Sequence, residues 1–358
     1  MPDSDKSTSP IRFGLIGYGA WGGHHAKAID EVEGAELVAI AARSEESQKR
    51  AREDFPDAFV TGDYHEFVTR EDVDVVDIVL PTHLHLEACL TAIEAKKHVL
   101  LEKPMAATID DCHRIVSAAA EAGITLAVGH ELRLSSQWGT LKEMVDHGDV
   151  GEVRYVLVEL SRKPYRHGAE GWRYDLDRVG NWILEEPIHF FDLARWYLSG
   201  SGEPSNVYST ANACDASRPD LHDNFSAVMK YENGSYAVVS QTLAAFEHHQ
   251  TVKVVGTDGA LWAGWSGAMD RTERPEFFLK AMRGRDGEVE TIDLDRPSGE
   301  LFELRVEVAR VAAAVRNGEP VPATGLDGLW SAGMCLAAVK SLQSGQPHDL
   351  TAFMAPYL

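Results

Sequence analysis

The chain has little of what marks secretion, disulfide scaffolds or membrane insertion. Only four cysteines occur in 358 residues (Cys89, Cys112, Cys214, Cys335), and no two of them form a C-x-x-C pair. That scatter excludes a disulfide framework and predicts buried thiols in a reducing compartment, so a cytoplasmic location is expected. No apolar run approaches the length of a bilayer span. Residues 1–10 lack both an apolar segment and a twin arginine, and read as a short disordered tail. Positive charge is scarce as well: 34 Lys and Arg face 56 Asp and Glu, a formal net charge of -22. A field of that sign repels phosphate backbones and acidic lipid, which excludes nucleic acid and membrane as expected partners.

What is present is a β-α alternation that stops partway. Apolar runs at 11–16, 36–41, 58–60, 73–80, 98–101 and 125–128 alternate with amphipathic segments at 21–33, 44–54, 84–95 and 109–122. This pattern predicts a doubly wound parallel sheet over residues 11–130, an α/β domain with its site at the carboxyl ends of the strands. Residues 131–358 read as an α+β domain. A helix at 138–147, a strand at 153–161 and an apolar helix at 182–197 precede strand-like text to about 292, and two helices (301–316, 328–344) close it. The turn Glu232-Asn233-Gly234 between alternating runs predicts a hairpin.

The first strand leads into Gly17-Tyr18-Gly19-Ala20-Trp21-Gly22, the G-x-G-x-x-G spacing. Gly17 permits a tight turn, Gly19 lets a diphosphate approach the backbone, and Gly22 lets the next helix pack closely, its N-terminus toward the phosphates. About twenty residues on, where NAD sites carry an acid for the ribose, the chain has Arg43-Ser44, which suit a 2′-phosphate. The cofactor is therefore NADP or NAD, with NADP favoured. Glu102-Lys103-Pro104 follows the strand 98–101, where a nicotinamide should lie. A partly desolvated lysine there can exchange a proton with a substrate hydroxyl.

Together with Pro81 to His85 (P-T-H-L-H), A-I-E-A-K-K-H-V-L-L-E-K-P and E-P-I-H-F-F-D-L-A-R-W-Y, these motifs resemble the Gfo/Idh/MocA oxidoreductase family over nearly the whole chain. The resemblance implies that Lys103 is catalytic, that His189 takes the catalytic histidine position, and that Asp192 is structural. Glu185 and Pro187 stand where the family usually has aspartate and glycine. Pro81, Thr82, His85 and Glu102 join the expected cofactor-binding set. The resemblance also implies an open, largely antiparallel sheet that makes homo-oligomer contacts, as a dimer or tetramer.

By spacing, Glu185, His189 and Asp192 fall on one face of a helix, so Glu185 can orient His189 as it accepts a proton. The loop 162–180 carries Arg162, Tyr165, Arg166, Trp172 and Arg173, suited to stacking on sugar faces and to hydroxyls or an anion. A carboxylated or sulfonated sugar is therefore within its range. No metal is expected, because neither Glu186-Pro187-Ile188-His189 nor His83-Leu84-His85 has the accompanying ligands. His24-His25 and His248-His249 read as surface or pocket-rim residues. The leading functional reading is reversible oxidation of a secondary hydroxyl of a sugar, sugar derivative or cyclitol. Two alternatives stay open: a glycosidase-like enzyme using tightly held NAD for oxidation and elimination, and a non-enzymatic nucleotide-sensing regulator of the same fold.

Overall fold

The apolar runs of the first third become six parallel strands: β1 (Ile11–Ile16), β2 (Ala35–Ala41), β3 (Phe59–Thr61), β4 (Val75–Ile78), β5 (His98–Leu101) and β6 (Leu126–Val128). The computed structural model describes residues 9–358, so the expected tail lies outside the described residues except for Ser9 and Pro10. The strand order β3-β2-β1-β4-β5-β6 reverses direction between β1 and β4. In such a sheet the crossover connections leave opposite ways at that point, opening a crevice at the carboxyl ends.

Two units divide the chain. The first contains the described residues up to Ala106, with Asp110–Glu131 and Glu303–Gly328; the second contains Ala107–Ile109, Leu132–Phe302 and Leu329–Leu358. Residues 303–328 therefore lie with the parallel sheet, whereas the sequence reading ends that domain at 130. The helix Glu300–Asn317 shows why. Its Leu304, Val308 and Val311, at helical spacing, pack into one core with Phe13, Leu15, Ile29 and Ile40.

The second unit is built on nine strands: β7 (Val153–Arg162), β8 (Asn206–Asn212), β9 (Asn224–Lys230), β10 (Tyr236–Thr242), β11 (His248–Gly256), β12 (Gly259–Gly267), β13 (Glu276–Arg283), β14 (Val289–Ile292) and β15 (His348–Asp349). Their order is β14-β13-β12-β11-β7-β10-β9-β8-β15, and every pair is antiparallel except β7 with β10. The expected hairpin forms between β9 and β10, with Gly234 at φ 83°. One sheet face receives the helix Pro187–Tyr197 against β7 and β10. The other leaves Tyr208, Tyr236 and Trp262 exposed.

Two expectations need correction here. The helix over 182–197 is in fact two, Trp182–Glu185 and Pro187–Tyr197, parted at Glu186 (φ -126°, ψ -39°). Proline has no N–H to continue a helix and suits its first turn instead. And of the four thiols expected to be buried, Cys214 is exposed. Among the described residues no helix is long and apolar enough to cross a membrane.

The second unit is pinned by a buried ion pair. Arg133 Nε and Nη2 each donate to Asp192 at 2.7 Å, and Ser331 Oγ donates to the same carboxylate at 3.1 Å. Removing one partner leaves a buried charge uncompensated. Asp192→Ala is expected to lower stability by about 3–5 kcal/mol, read by urea denaturation, with unchanged unfolding cooperativity.

Candidate functional site

The glycine turn sits in the crevice between β1 and β4. Gly17 has φ 103°, and a Cβ there would collide with the Val79 carbonyl oxygen; at Gly22 a Cβ would strike the carbonyl of Gly17. Both positions are closed to any larger residue. Gly19 differs, since nothing lies within 4 Å of the place its Cβ would take. Gly19 also starts the helix Ala20–Glu31 with no side-chain cap. An open backbone before an uncapped helix N-terminus fits a diphosphate, with Gly17, Gly19, Ala20, Trp21 and Gly22 forming the cradle.

Not every residue of that motif points to the crevice. Tyr18 is buried, and its hydroxyl donates to Asp54 at 2.6 Å while Arg50 donates to its carbonyl. Its ring ties the turn to the helix Glu45–Asp54, so the cofactor-binding expectation is corrected for its side chain. Ser44 caps that helix by accepting from the Ser47 amide at 3.1 Å, and Arg43 beside it is exposed. Both stand at the carboxyl end of β2. Pro81 and Thr82 stand after β4, Thr82 buried in the turn Thr82–Leu84.

Beneath the crevice lies a buried charge cluster. His25, expected at the surface, is 1% exposed: its Nδ1 is 2.9 Å from Asp77 Oδ2 and its Nε2 is 3.2 Å from Glu102 Oε1. A ring facing carboxylates on both sides must donate from both nitrogens, which makes it an imidazolium. Burial by itself opposes that charge, but Asp77 and Glu102 outweigh it and raise the His25 pKa well above its ordinary value. Burial likewise pushes the Glu102 carboxyl up, while His25, Lys103 and the Trp21 donor overcome it and hold the group below the usual range. Trp21 Nε1 donates to Glu102 Oε1 at 2.8 Å, so this side chain anchors the glutamate. Glu102 Oε2 in turn accepts from the Lys103 amide at 3.0 Å. Lys103 itself is half-buried at the carboxyl end of β5.

His85 holds the far side of this turn. It is fully buried, with Nδ1 at 2.8 Å from the Pro104 carbonyl and Nε2 at 2.7 Å from that of Leu80. Burial lowers its pKa, so at neutral pH the ring donates to one of the two carbonyls. Both polar atoms face backbone, which corrects the expectation that this side chain binds cofactor.

In the second unit, the break at Glu186 removes the shared helical face. Glu185 Oε1 accepts from Arg173 Nε at 2.6 Å. His189 is buried in the first turn of Pro187–Tyr197. Arg162 Nη1 donates to Glu186 at 2.7 Å and Nη2 to Asp270 at 3.3 Å; Arg166 reaches Asp270 at 3.4 Å. Three guanidiniums thus meet three carboxylates, and the cation surplus behind the anionic-sugar expectation disappears. Tyr165 is buried, with the Arg162 guanidinium over its ring and Trp182 edge-on to it, and the Arg173 guanidinium lies over the Trp172 ring. His248, also expected at a rim, is buried edge-on to Trp265. Among the described residues no group of three or more His, Cys, Asp or Glu could hold a metal ion.

Sequence reasoning missed His25, Asp77 and Glu307. A signal existed for Asp77, the one acid inside the buried run V-V-D-I of β4, because a carboxylate there must find a partner.

The comparisons with known proteins agree with this geometry. Residues 11–130 match the family described as "Oxidoreductase family, NAD-binding Rossmann fold", and residues 138–262 match the "GFO/IDH/MocA C-terminal domain". The oxidoreductase YrbE of Bacillus subtilis, itself uncharacterized, is 30% identical over 96% of this chain and 97% of its own. The myo-inositol 2-dehydrogenase of Thermotoga maritima is 27% identical over 93% and 96%. A solved aldose-aldose oxidoreductase from Caulobacter crescentus, complexed with glycerol, superimposes with a TM-score of 0.82 over 95% of this chain and 99% of that one; at 21% identity the likeness is one of fold. The glycine cradle, the Glu102-Lys103-Pro104 turn and the open second sheet are therefore those of a Gfo/Idh/MocA oxidoreductase, the family to which this chain belongs.

Proposed function

We propose that the chain is an NAD(P)-dependent dehydrogenase that reversibly oxidises a secondary hydroxyl of a sugar, sugar derivative or cyclitol. The observation that carries this reading is Lys103, a half-buried ammonium held at the carboxyl end of β5 by the anchored Glu102. The bound nicotinamide supplies hydride chemistry at the substrate carbon. Lys103 takes the hydroxyl proton in the oxidative direction and returns it in the reductive one. His189 is the second proton-handling group. Arg162, Tyr165, Trp172 and the Arg173–Glu185 pair contact the substrate. The matched charges of Arg162, Arg166 and Arg173 against Glu185, Glu186 and Asp270 favour a neutral polyol over a carboxylated sugar.

Purified protein assayed over a polyol panel with NADP or NAD is expected to reduce the nucleotide. Lys103→Met should lower kcat/KM by about 10²–10⁴-fold with an unchanged circular dichroism spectrum. A variant as fast as the parent overturns the assignment. Glycoside cleavage without net nucleotide reduction would replace it with a redox-relay mechanism.

Arg43 supports a preference for NADP: it follows β2, where NAD sites carry an acid for the ribose, and an exposed guanidinium there suits a 2′-phosphate. Arg43→Ala is expected to raise KM for NADP at least tenfold, or about 1.4 kcal/mol, and to leave KM for NAD within about twofold in steady-state assays.

The exposed sheet face supports homo-oligomer formation with a second copy of the chain. A register row runs Tyr208, Val228, Val238, Leu157, Lys253, Trp262, Lys280, with Tyr208 exposed at one end and Trp262 exposed near the other. Trp262→Glu is expected to shift the mass in analytical ultracentrifugation toward monomer, by placing a charge in an apolar contact.

A further inference from the structure

His85 takes no part in the proposed proton transfers, yet it is fully buried at the start of the helix His85–Glu94. The backbone of the turn after β5 gives the reason. Leu101 is the last residue of that strand to pair with β4, opposite Ile78, and the Glu102 amide still donates to the Ile78 carbonyl at 3.1 Å. Beyond that point the Lys103 amide turns back onto Glu102 Oε2, and Pro104 has no N–H to give. A stretch that has left its ladder is held by the side chains that meet its polar groups.

On one side of Lys103 that side chain is Glu102, gripped by His25, which also reaches Asp77 of β4. On the other side it is His85. Its Nδ1 lies 2.8 Å from the Pro104 carbonyl, and its Nε2 lies 2.7 Å from that of Leu80, just past β4. Two buried histidines thus bridge β4 to the lysine turn, one through carboxylates and the other through carbonyls.

A neutral imidazole has a single N–H for the two carbonyls. Burial opposes the second proton that would serve both, and it outweighs the pull of the carbonyls and of the Glu102 charge. The Pro104 contact is buried, whereas the Leu80 contact is partly open to solvent. A sealed carbonyl that loses its donor has nothing to replace it, so the proton belongs on Nδ1.

We propose that His85 is a positioning residue for Lys103: by donating from Nδ1 to the Pro104 carbonyl it fixes the far side of the turn, as His25 fixes the near side through Glu102. Lys103 is then rooted between two fixed points, which narrows the directions its ammonium can take.

Three substitutions in the full-length protein separate the contacts. Asparagine puts an amide nitrogen close to the place of Nδ1, glutamine puts one close to the place of Nε2, and phenylalanine fills the space with no donor. Hydrogen exchange of residues 102–106 is followed by mass spectrometry without nucleotide, with β1 as internal reference. Exchange at 102–106 should rise by up to about tenfold in His85→Phe and His85→Gln and stay within about twofold of the parent in His85→Asn, with β1 unchanged throughout. Unchanged exchange at 102–106 overturns the proposal, and so does a rise that β1 shares, which marks a general loss of stability. Exchange in His85→Asn as fast as in His85→Gln overturns the assignment to Nδ1. Should His85→Phe fail to fold, His85→Gln carries the same comparison.

The consequence for catalysis rests on the proposed dehydrogenase reading. There, kcat for polyol oxidation should fall by about 10–100-fold in His85→Phe and His85→Gln and return to within about threefold of the parent in His85→Asn, while KM for the nucleotide stays within about twofold. An unchanged kcat, or a loss carried by nucleotide KM instead, overturns the positioning role. Failure of the parent to oxidise any polyol would sink the dehydrogenase reading alone, because the exchange arm needs no turnover.

Discussion

The interaction on which the first unit depends is the His25 imidazolium clamped between Asp77 and Glu102. It joins the helix after the glycine turn, the strand on the other side of the topological switch and the loop that presents Lys103. Each of these elements is short, and none fixes the position of the lysine by itself. The clamp does so by giving the Glu102 carboxylate three donors, one of which is the Lys103 amide. Such a cluster is strong while complete and costly when any member is lost.

The same arrangement sorts the G-x-G-x-x-G motif into parts with different duties. Gly17 and Gly22 are closed by neighbouring carbonyls, and Gly19 is open. Tyr18 faces backward to Asp54, and Trp21 faces downward to Glu102. Only the backbone of the turn is left for a ligand, which is what an anion at a helix N-terminus requires. The chain thus spends its side chains on rigidity and its amides on binding.

Much of this could be read from the amino-acid order. The β-α alternation, the strand-turn-helix around the glycines, the E-N-G hairpin and the Glu102-Lys103-Pro104 turn are local patterns. What could not be read depends on contacts between residues far apart in the chain. His25 looked like one of two adjacent surface histidines because its acids arrive from 52 and 77 positions away. Glu185 and His189 read as neighbours on one continuous helix because of their four-residue spacing, and Pro187 divides that helix in two. The arginines of the 162–180 loop looked like an anion site in part because Asp270, which Arg162 and Arg166 share, lies 108 and 104 positions away from them.

The helix Glu300–Asn317 completes the core of the first unit only after the strands β7 to β14 of the second sheet have been made. A ribosome must therefore emit the 171 residues from 129 to 299 between the first six strands and the segment that covers them. During that interval Phe13, Leu15 and Ile29 lack their Leu304, Val308 and Val311 neighbours. The nucleotide-binding portion is consequently an interrupted fold. A gene fragment cut at its apparent boundary would yield a sheet with one wet face rather than a free-standing module.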